Sequence, residues 1–320
     1  MRELVFVAPG VLEWRETAEP RLDGTDDALD ALVRPIAVAR CDLDAAILRG
    51  RAPARGPYAF GHECVAEVIA IARRVRTVDL GDLVIVPFQI SCGACARCRR
   101  GMTASCTAVA PRSMYGFGAL GGAQWGGVIA DVVRVPFADA MLVRCPAGVS
   151  AAALASAGDN VVDGYRTVAR PLAERPGAPV LVVGGGAASV GLYAAAAAIA
   201  LDAERVDYLD HDPVRLGIAE RLGARAIEAR FERRHERYPI TVDASADVAG
   251  LALAIASAEP GGTCTSVGIY YDNATPLPLL DAYRNGLTFI TGRVDARAVL
   301  PDALATIARG RLAPELVTTR

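Results

Sequence analysis

The sequence predicts an α/β protein in which a mostly β part is followed by a doubly wound parallel sheet. Up to about residue 155, short β-type runs (4–7, 65–71 and 83–86) are separated by glycine and proline, as in a compact β domain. After about residue 160, apolar strands alternate with helical segments, which is the pattern of βαβ units on a parallel sheet.

The elements of the second part follow one another in a regular order. The run VLVV is short and wholly apolar, which indicates a buried strand, and a glycine turn and an alanine-rich helix follow it. The next helix ends near Gly223. In chain order, the predicted strands are 180–183, 206–209, 240–245 and 265–270, and the last predicted helix is 300–310.

Composition excludes several classes of function. The net charge is -2 in 320 residues, so no basic surface favours nucleic acid or an anionic membrane. All basic residues are arginine, which excludes a Schiff-base or P-loop lysine. The N-terminus is interrupted by Pro9-Gly10 and does not resemble a secretory leader. We therefore expect a cytoplasmic protein whose cysteines bind a metal or take part in catalysis rather than form disulfides.

Four cysteines, Cys92, Cys95, Cys98 and Cys106, have the spacing C-x2-C-x2-C-x7-C. Two-residue gaps let a loop bring neighbouring thiolates to one tetrahedral Zn²⁺, and the fourth thiolate closes the shell. A closed shell leaves no position for substrate, so the pattern predicts a structural zinc. An iron–sulfur cluster also uses four cysteines, although with other spacings, and unliganded thiols are the simplest alternative.

With Gly61-His62-Glu63 about thirty residues before this cysteine lobe (88–108), and Cys41 about twenty residues before the motif, the chain resembles the zinc-dependent medium-chain alcohol dehydrogenases. The resemblance extends over nearly the whole chain, and it places the sequence near the formaldehyde-dehydrogenase-like branch of the family. It implies a GroES-like catalytic domain (1–158), a Rossmann domain (159–292) and a shortened segment returning to the first domain (293–320). It also implies an active site between the domains and a homodimer or homotetramer.

The resemblance further implies a catalytic zinc held by Cys41, His62 and Asp159. Such a zinc needs three protein ligands and one open position, where it lowers the pKa of a bound alcohol as it does for water. Many relatives have cysteine at the third position, five residues before Gly164-Tyr165, and Asp159 stands there instead. A helix-cap carboxylate is the alternative for Asp159, and a buried apolar role is the alternative for Cys41. Glu63 and Asp44 are expected to orient the ligands.

The chain departs from its relatives in the route for the alcohol proton. The hydroxyl residue expected two positions after the first cysteine is Leu43, and the expected histidine is Ala46. Neither can carry a proton, so the proton leaves through water or cofactor ribose, or the substrate is a hydrated aldehyde or polyol with its own route. Phe88, Trp125 and Leu43 are candidate pocket walls or simply core residues. Cys64, Cys145 and Cys264 lack partner patterns and are interpreted as structural.

The segment VLVVGGGAASVGLYAAA predicts a nucleotide-binding strand–turn–helix. Its glycines, Gly184, Gly186 and Gly191, with Val190 beside the last, have a stretched version of the G-x-G-x-x-G spacing. Such a turn lets backbone amides and the helix N-terminus approach a pyrophosphate. Asp210, about twenty residues on, is placed to bind ribose hydroxyls and to repel a 2′-phosphate. The pattern favours NAD over NADP, although His211 and Arg215 keep NADP open.

Together these predictions describe an NAD(P)-dependent zinc enzyme that oxidises a primary or secondary alcohol, or an aldehyde hydrate or polyol, as a small-molecule substrate. The alternative is a zinc- and nucleotide-binding sensor or scaffold with impaired turnover. The missing relay favours this alternative, and the intact ligand set opposes it.

Overall fold

The computed structural model describes residues 1–26, 28–118, 125–231, 236–272 and 274–318. The chain forms two compact units, and neither is a single stretch of sequence. The first unit contains Met1–Asp159 and Asp295–Ala308, and the second contains Asn160–Val294 and Arg309–Arg320.

The first unit is built on two antiparallel sheets, with strand orders β2-β1-β4 and β7-β3-β5-β6-β8. Its strands are β1 (Arg2–Ala8), β2 (Val11–Glu16), β3 (Ala31–Val38), β4 (Tyr58–Ala59), β5 (Cys64–Ile71), β6 (Leu83–Val86), β7 (Val133–Val135) and β8 (Val143–Arg144). Its helices are α1 (Asp42–Leu48), α2 (Ala96–Arg99), α3 (Ala138–Met141), α4 (Ala151–Leu154) and α10 (Ala296–Ala308).

Alternating small and β-branched residues account for the packing of this unit. Alternate residues of a strand point to one face of its sheet, and those of β3, β5 and β6 that face inward form one buried cluster with Tyr115 and Met141. Phe6 and Phe60 stack beside Tyr58 on the smaller sheet, with ring centroids 5.1–6.5 Å apart. The segment after Phe60, which carries the histidine motif, is therefore anchored by buried aromatic rings.

The second unit is a six-stranded parallel sheet with strand order β11-β10-β9-β12-β13-β14. Its strands are β9 (Val180–Val183), β10 (Val206–Asp210), β11 (Arg225–Glu228), β12 (Tyr238–Asp243), β13 (Ala258–Ser266) and β14 (Thr288–Thr291). Its helices are α5 (Asn160–Glu174), α6 (Ala188–Ala200), α7 (Pro213–Leu222), α8 (Val248–Ala256) and α9 (Leu279–Asn285). The strand order reverses between β9 and β12, which is where doubly wound sheets bind ligands.

The predicted fold class is confirmed, with small shifts at element ends. The alanine-rich helix α6 is almost wholly buried, and α7 ends at Gly223 in the left-handed conformation. The strand predicted over 265–270 ends at Ser266, because the following residues leave the sheet, and helix α10 begins at Ala296 rather than 300. Among the described residues, no helix is long and apolar enough to span a bilayer.

Candidate metal and nucleotide sites

The thiols of Cys92, Cys95, Cys98 and Cys106 converge within 4.8 Å of one another. Helix α2 begins directly after Cys95, and successive backbone amides point at sulfur. The amide of Cys92 donates to Sγ of Cys106 (3.4 Å), that of Cys95 to Sγ of Cys92 (3.3 Å), and that of Cys98 to Sγ of Cys95 (3.4 Å). Such bonds stabilise thiolates, which are the form of cysteine that binds zinc.

Cys95, Cys98 and Cys106 differ in the direction of their pKa shifts in the absence of a cation. Backbone amide donors lower the pKa of Cys95 to about 5, whereas burial raises the pKa of Cys98 to about 12. Burial also raises the pKa of Cys106. Four thiolates at this separation repel one another, so the full set requires a multivalent cation, and a tetrahedral Zn²⁺ fits the donor set.

A second cluster surrounds His62, which lies in an extended segment just before β5. Gly61 has φ +90°, and a Cβ there would lie 2.5 Å from the side chain of Ile129. Only glycine fits this turn, which directs the imidazole inward. The ring of Phe117 lies 4.7 Å from the imidazole and that of Phe88 lies 6.2 Å away, edge-on. His62 is fully buried as a result.

Carboxylates face both edges of this imidazole. Nδ1 lies 3.5 Å from Oδ1 of Asp44, and Nε2 lies 3.3 Å from Oδ2 of Asp159 and 3.8 Å from Oε1 of Glu63. Cys41 directly precedes α1, and its thiol, Asp44 and His62 form one group of atoms within 4.8 Å, while His62, Glu63 and Asp159 form another. Asp44 also accepts the Cys41 backbone N–H at 3.0 Å, so it contacts both neighbours.

The contacts of Asp159 and Glu63 fit a cation held on the Nε2 edge, whereas the Cys41 thiol is grouped with His62 and Asp44. Within the described chain, neither imidazole nitrogen has an aligned hydrogen-bond partner, although both are buried. An unpaired buried nitrogen is costly, and a carboxylate facing it at 3.3 Å adds charge that only a cation or protons can balance. Nδ1–H directed at Asp44 would leave the Nε2 lone pair for a metal. One thiol, one imidazole and carboxylate oxygen are donors that Zn²⁺ accepts.

Acidity in this cluster depends on the same balance. Burial raises the pKa of the Cys41 thiol to about 12, although His62 opposes the rise. Burial lowers the pKa of His62, but Asp44, the Cys41 thiol and Asp159 outweigh it, and the net pKa is well above the usual value. A metal cation would replace the protons of both groups.

The predicted nucleotide turn connects β9 to α6. A Cβ on Gly184 would lie 2.4 Å from both Oδ2 of Asp210 and the hydroxyl of Tyr208, so no larger residue fits. Gly185, which is not one of the three predicted glycines, has φ +148°. Gly191 packs on Ala244 where α6 approaches the sheet. The turn thus leaves backbone exposed where a pyrophosphate would approach.

Asp210 ends β10 and is fully buried, with five donors on its two oxygens. Arg215 binds it through both Nε and Nη2 at 2.7 Å. The backbone amides of His211 and Asp212 and the hydroxyl of Tyr208 donate at 2.7, 3.0 and 3.2 Å. Burial alone would raise the pKa of Asp210, but these donors lower it. The carboxylate therefore lies at the predicted strand end, but its oxygens are already engaged.

Comparisons with known proteins agree with this architecture. Residues 27–147 match the alcohol dehydrogenase GroES-like domain family. An alcohol dehydrogenase structure from Thermus sp. ATN1 has a TM-score of 0.87 and 33% identity, and the match covers 98% of this chain and 91% of that one. The chain belongs to the zinc-dependent medium-chain alcohol dehydrogenase family.

Curated relatives add detail to this membership. A zinc-type alcohol dehydrogenase B from Aspergillus flavus is 29% identical over 97% of this chain and 73% of that protein. A glutathione-independent formaldehyde dehydrogenase from Pseudomonas aeruginosa is 34% identical, over 69% of this chain and 57% of the relative. The chain is thus an oxidoreductase of the zinc alcohol dehydrogenase type, and nothing in these relatives favours a sensor or scaffold.

Two aromatic side chains predicted as pocket walls, and one that was not predicted, lie in the first unit of this dehydrogenase. Trp125 is half-buried and packs against the core of the first unit, whereas Phe88 contacts His62 directly. Phe117, the ring nearest to the imidazole, was not predicted from the sequence. Its only sequence signal is its position in a glycine-flanked YGFG run, which indicates a turn rather than a pocket.

Proposed function

We propose that this dehydrogenase holds two zinc ions per chain. Cys92, Cys95, Cys98 and Cys106 would hold the structural ion, and Cys41, His62 and Asp159 would hold the catalytic one. The observation that carries the second site is the buried imidazole of His62, whose nitrogens lack aligned hydrogen-bond partners among the described residues while carboxylates face both of its edges.

The reaction we propose is reversible hydride transfer between a primary or secondary alcohol and a nicotinamide cofactor. When bound, the catalytic zinc would supply Lewis acidity that lowers the pKa of the substrate hydroxyl. Asp44 would hold the imidazole orientation and the Cys41 backbone together. Phe88 and Phe117, which contact His62, would exclude water from the imidazole.

An aldehyde hydrate or polyol fits the proton route better than a simple alcohol does. Leu43 and Ala46 on α1 offer no hydroxyl or imidazole to accept the substrate proton. A geminal diol carries a second hydroxyl that can exchange protons with water. The similarity to a formaldehyde dehydrogenase supports the same substrate class, since aqueous formaldehyde is a geminal diol.

We propose NAD as the cofactor, in preference to NADP. Asp210 and Asp212 place two carboxylates at the end of β10, and both disfavour a 2′-phosphate. Arg215 pairs with both, at 2.7 and 3.3 Å, so it offsets part of their charge. The preference for NAD should therefore be smaller than that of a site whose acidic residue has no cationic partner. Separate titrations with NADH and NADPH test this point.

A substrate screen on metal-replete protein tests the enzyme as a whole. Two zinc ions per chain with substrate-dependent NADH formation are expected, and activity should extend to aldehydes as hydrates. A single zinc per chain, with no NADH formed across alcohols, polyols and aldehydes, would reject the proposal and support the sensor reading.

We also propose a cytoplasmic homodimer or homotetramer. None of the eight cysteines forms a disulfide, and a reducing compartment keeps cysteines in this state. On the second unit, Leu279, Leu280 and Tyr283 of α9 are exposed, and β14 is an edge strand with Phe289 half-exposed. Exposed apolar residues beside an open sheet edge are typical of an interface between copies. Sedimentation velocity tests the assembly.

A further inference from the structure

A buried carboxylate that the proposed chemistry does not use lies at the carboxyl end of β12. Asp243 is fully buried and accepts four hydrogen bonds. Oδ1 accepts from the amide (3.0 Å) and hydroxyl (2.5 Å) of Ser245. Oδ2 accepts from the hydroxyls of Ser266 (2.6 Å) and Tyr270 (2.8 Å).

Within the described chain, Asp243 forms no ion pair with arginine or histidine, and its donors are all neutral. A buried charge without a partner of opposite sign costs stability, and an apolar residue of similar size would be cheaper. Exceptions of this kind to ordinary packing are concentrated at functional sites.

The loop that Asp243 fixes forms the floor of the glycine turn. The carbonyl of Ser245 accepts the Gly186 N–H at 2.6 Å, and that of Ala244 accepts the Ala187 N–H at 3.0 Å. A Cβ on Gly185 would lie 2.6 Å from the Ser245 carbonyl oxygen. The position of the turn is thus set by the Ser245 backbone. Asp243 holds Ser245 through one hydrogen bond from its backbone amide and one from its hydroxyl.

The same carboxylate also fixes the segment after β13. Ser266 is the last residue of that strand, and Tyr270 lies four residues on, outside the sheet. The Tyr270 hydroxyl is also 3.3 Å from the Asp247 carbonyl at the start of α8. Asp243 therefore joins the loops that follow β9, β12 and β13, next to the reversal of strand order where doubly wound sheets bind nucleotides.

We propose that Asp243 is a positioning residue for the nicotinamide cofactor. Through Ser245, Ser266 and Tyr270 it holds the glycine turn and the segment after β13 as one preformed surface, so that the cofactor does not have to order them on binding. The proposal rests on the assignment of this turn to NAD(P).

The test uses full-length, zinc-replete protein and follows NADH binding by fluorescence titration, with kcat and the melting temperature measured in parallel. Asp243→Asn keeps the shape of the side chain but removes its charge, and Tyr270→Phe removes one donor and keeps the ring. Ser257→Ala is the matched control, because Ser257 is a fully buried serine of the same unit whose hydroxyl has no hydrogen-bond partner among the described residues.

Hydrogen bonds to a charged group predict a Kd for NADH raised about tenfold in Tyr270→Phe and more in Asp243→Asn. We expect kcat at saturating nucleotide to be unchanged, and Ser257→Ala to bind as the wild type does. If Asp243→Asn does not fold, Tyr270→Phe and Ser266→Ala decide the result. Wild-type affinity in the folded variants, even with lower melting temperatures, would overturn the inference and leave only a stabilising role. A wild-type protein that binds no nicotinamide nucleotide would instead contradict the proposed function itself.

Discussion

Replacing Asp44 with asparagine should weaken the catalytic zinc site without unfolding the chain. The carboxylate is buried, with Oδ1 3.5 Å from Nδ1 of His62 and Oδ2 3.0 Å from the amide of Cys41. Asparagine keeps the volume and one acceptor, but it removes the charge that orients the imidazole. Losses of this kind cost about 10- to 100-fold in metal affinity, or roughly 1.4 to 2.8 kcal/mol.

The assay is competition for zinc with a chromophoric chelator, combined with metal analysis of the dialysed protein. Asp44→Asn is expected to retain one zinc, in the cysteine lobe, under conditions in which the wild type retains two. Asp42→Asn, in the same first turn of α1, removes an equal charge from a residue that is not among the ion-pair partners of His62 in the described chain, and it should behave as the wild type. An Asp44→Asn protein that keeps both ions at wild-type affinity would refute the reasoning.

Three further outcomes are expected. Leu43→Ser should raise kcat for simple alcohols, by up to about 100-fold if proton transfer limits the rate, and unchanged NADH formation would count against the missing relay. Burial opposes ionisation of Asp207, but hydrogen bonds led by Arg225 outweigh it and lower the Asp207 pKa. Asp207→Asn should therefore lower the unfolding free energy by about 2 kcal/mol at pH 7, because the arginine partners are partly exposed. The deficit should begin to shrink as the pH falls below about 4, where the carboxylate protonates in the unfolded chain, and should disappear once the pH falls through the lowered pKa of the folded protein. Urea titrations at pH 7 and below pH 4 check the sign. Cys106→Ser should release the lobe zinc and lower the melting temperature, whereas Cys145→Ser should do neither.

Local chemistry explains what the sequence could predict. The cysteine lobe is recognisable because its ligands lie within fifteen residues, and short spacing alone brings them together. The glycine turn and α6 are recognisable because a short apolar run followed by glycines is typical of a buried parallel strand.

Contacts between distant segments could not be predicted in this way. Asp243 accepts hydrogen bonds from Ser266 and Tyr270 because β12 and β13 pair in a register that places Asp243 opposite Ser266. Phe117 reaches His62 through a turn whose course is set by packing rather than by propensity. Asp210 and Arg215 are five residues apart across the start of α7, so their ion pair could have been suspected from the sequence. The sequence could not show that Arg215 and its neighbours occupy both oxygens of the Asp210 carboxylate.

Helix α10 belongs to the first unit but is synthesised after the second unit's sheet. Its start is tied to the cysteine lobe region by Asp295, whose carboxylate accepts the Ala104 N–H at 2.7 Å, and by Gln89, whose side chain accepts the Ala296 N–H at 3.2 Å. About 190 residues separate these partners along the chain, so the whole second sheet is synthesised between them. During translation, the surface of the first unit around Gln89 and Ala104 is therefore uncovered until α10 leaves the ribosome. Early zinc binding by the four cysteines would hold the backbone of this surface in its folded conformation.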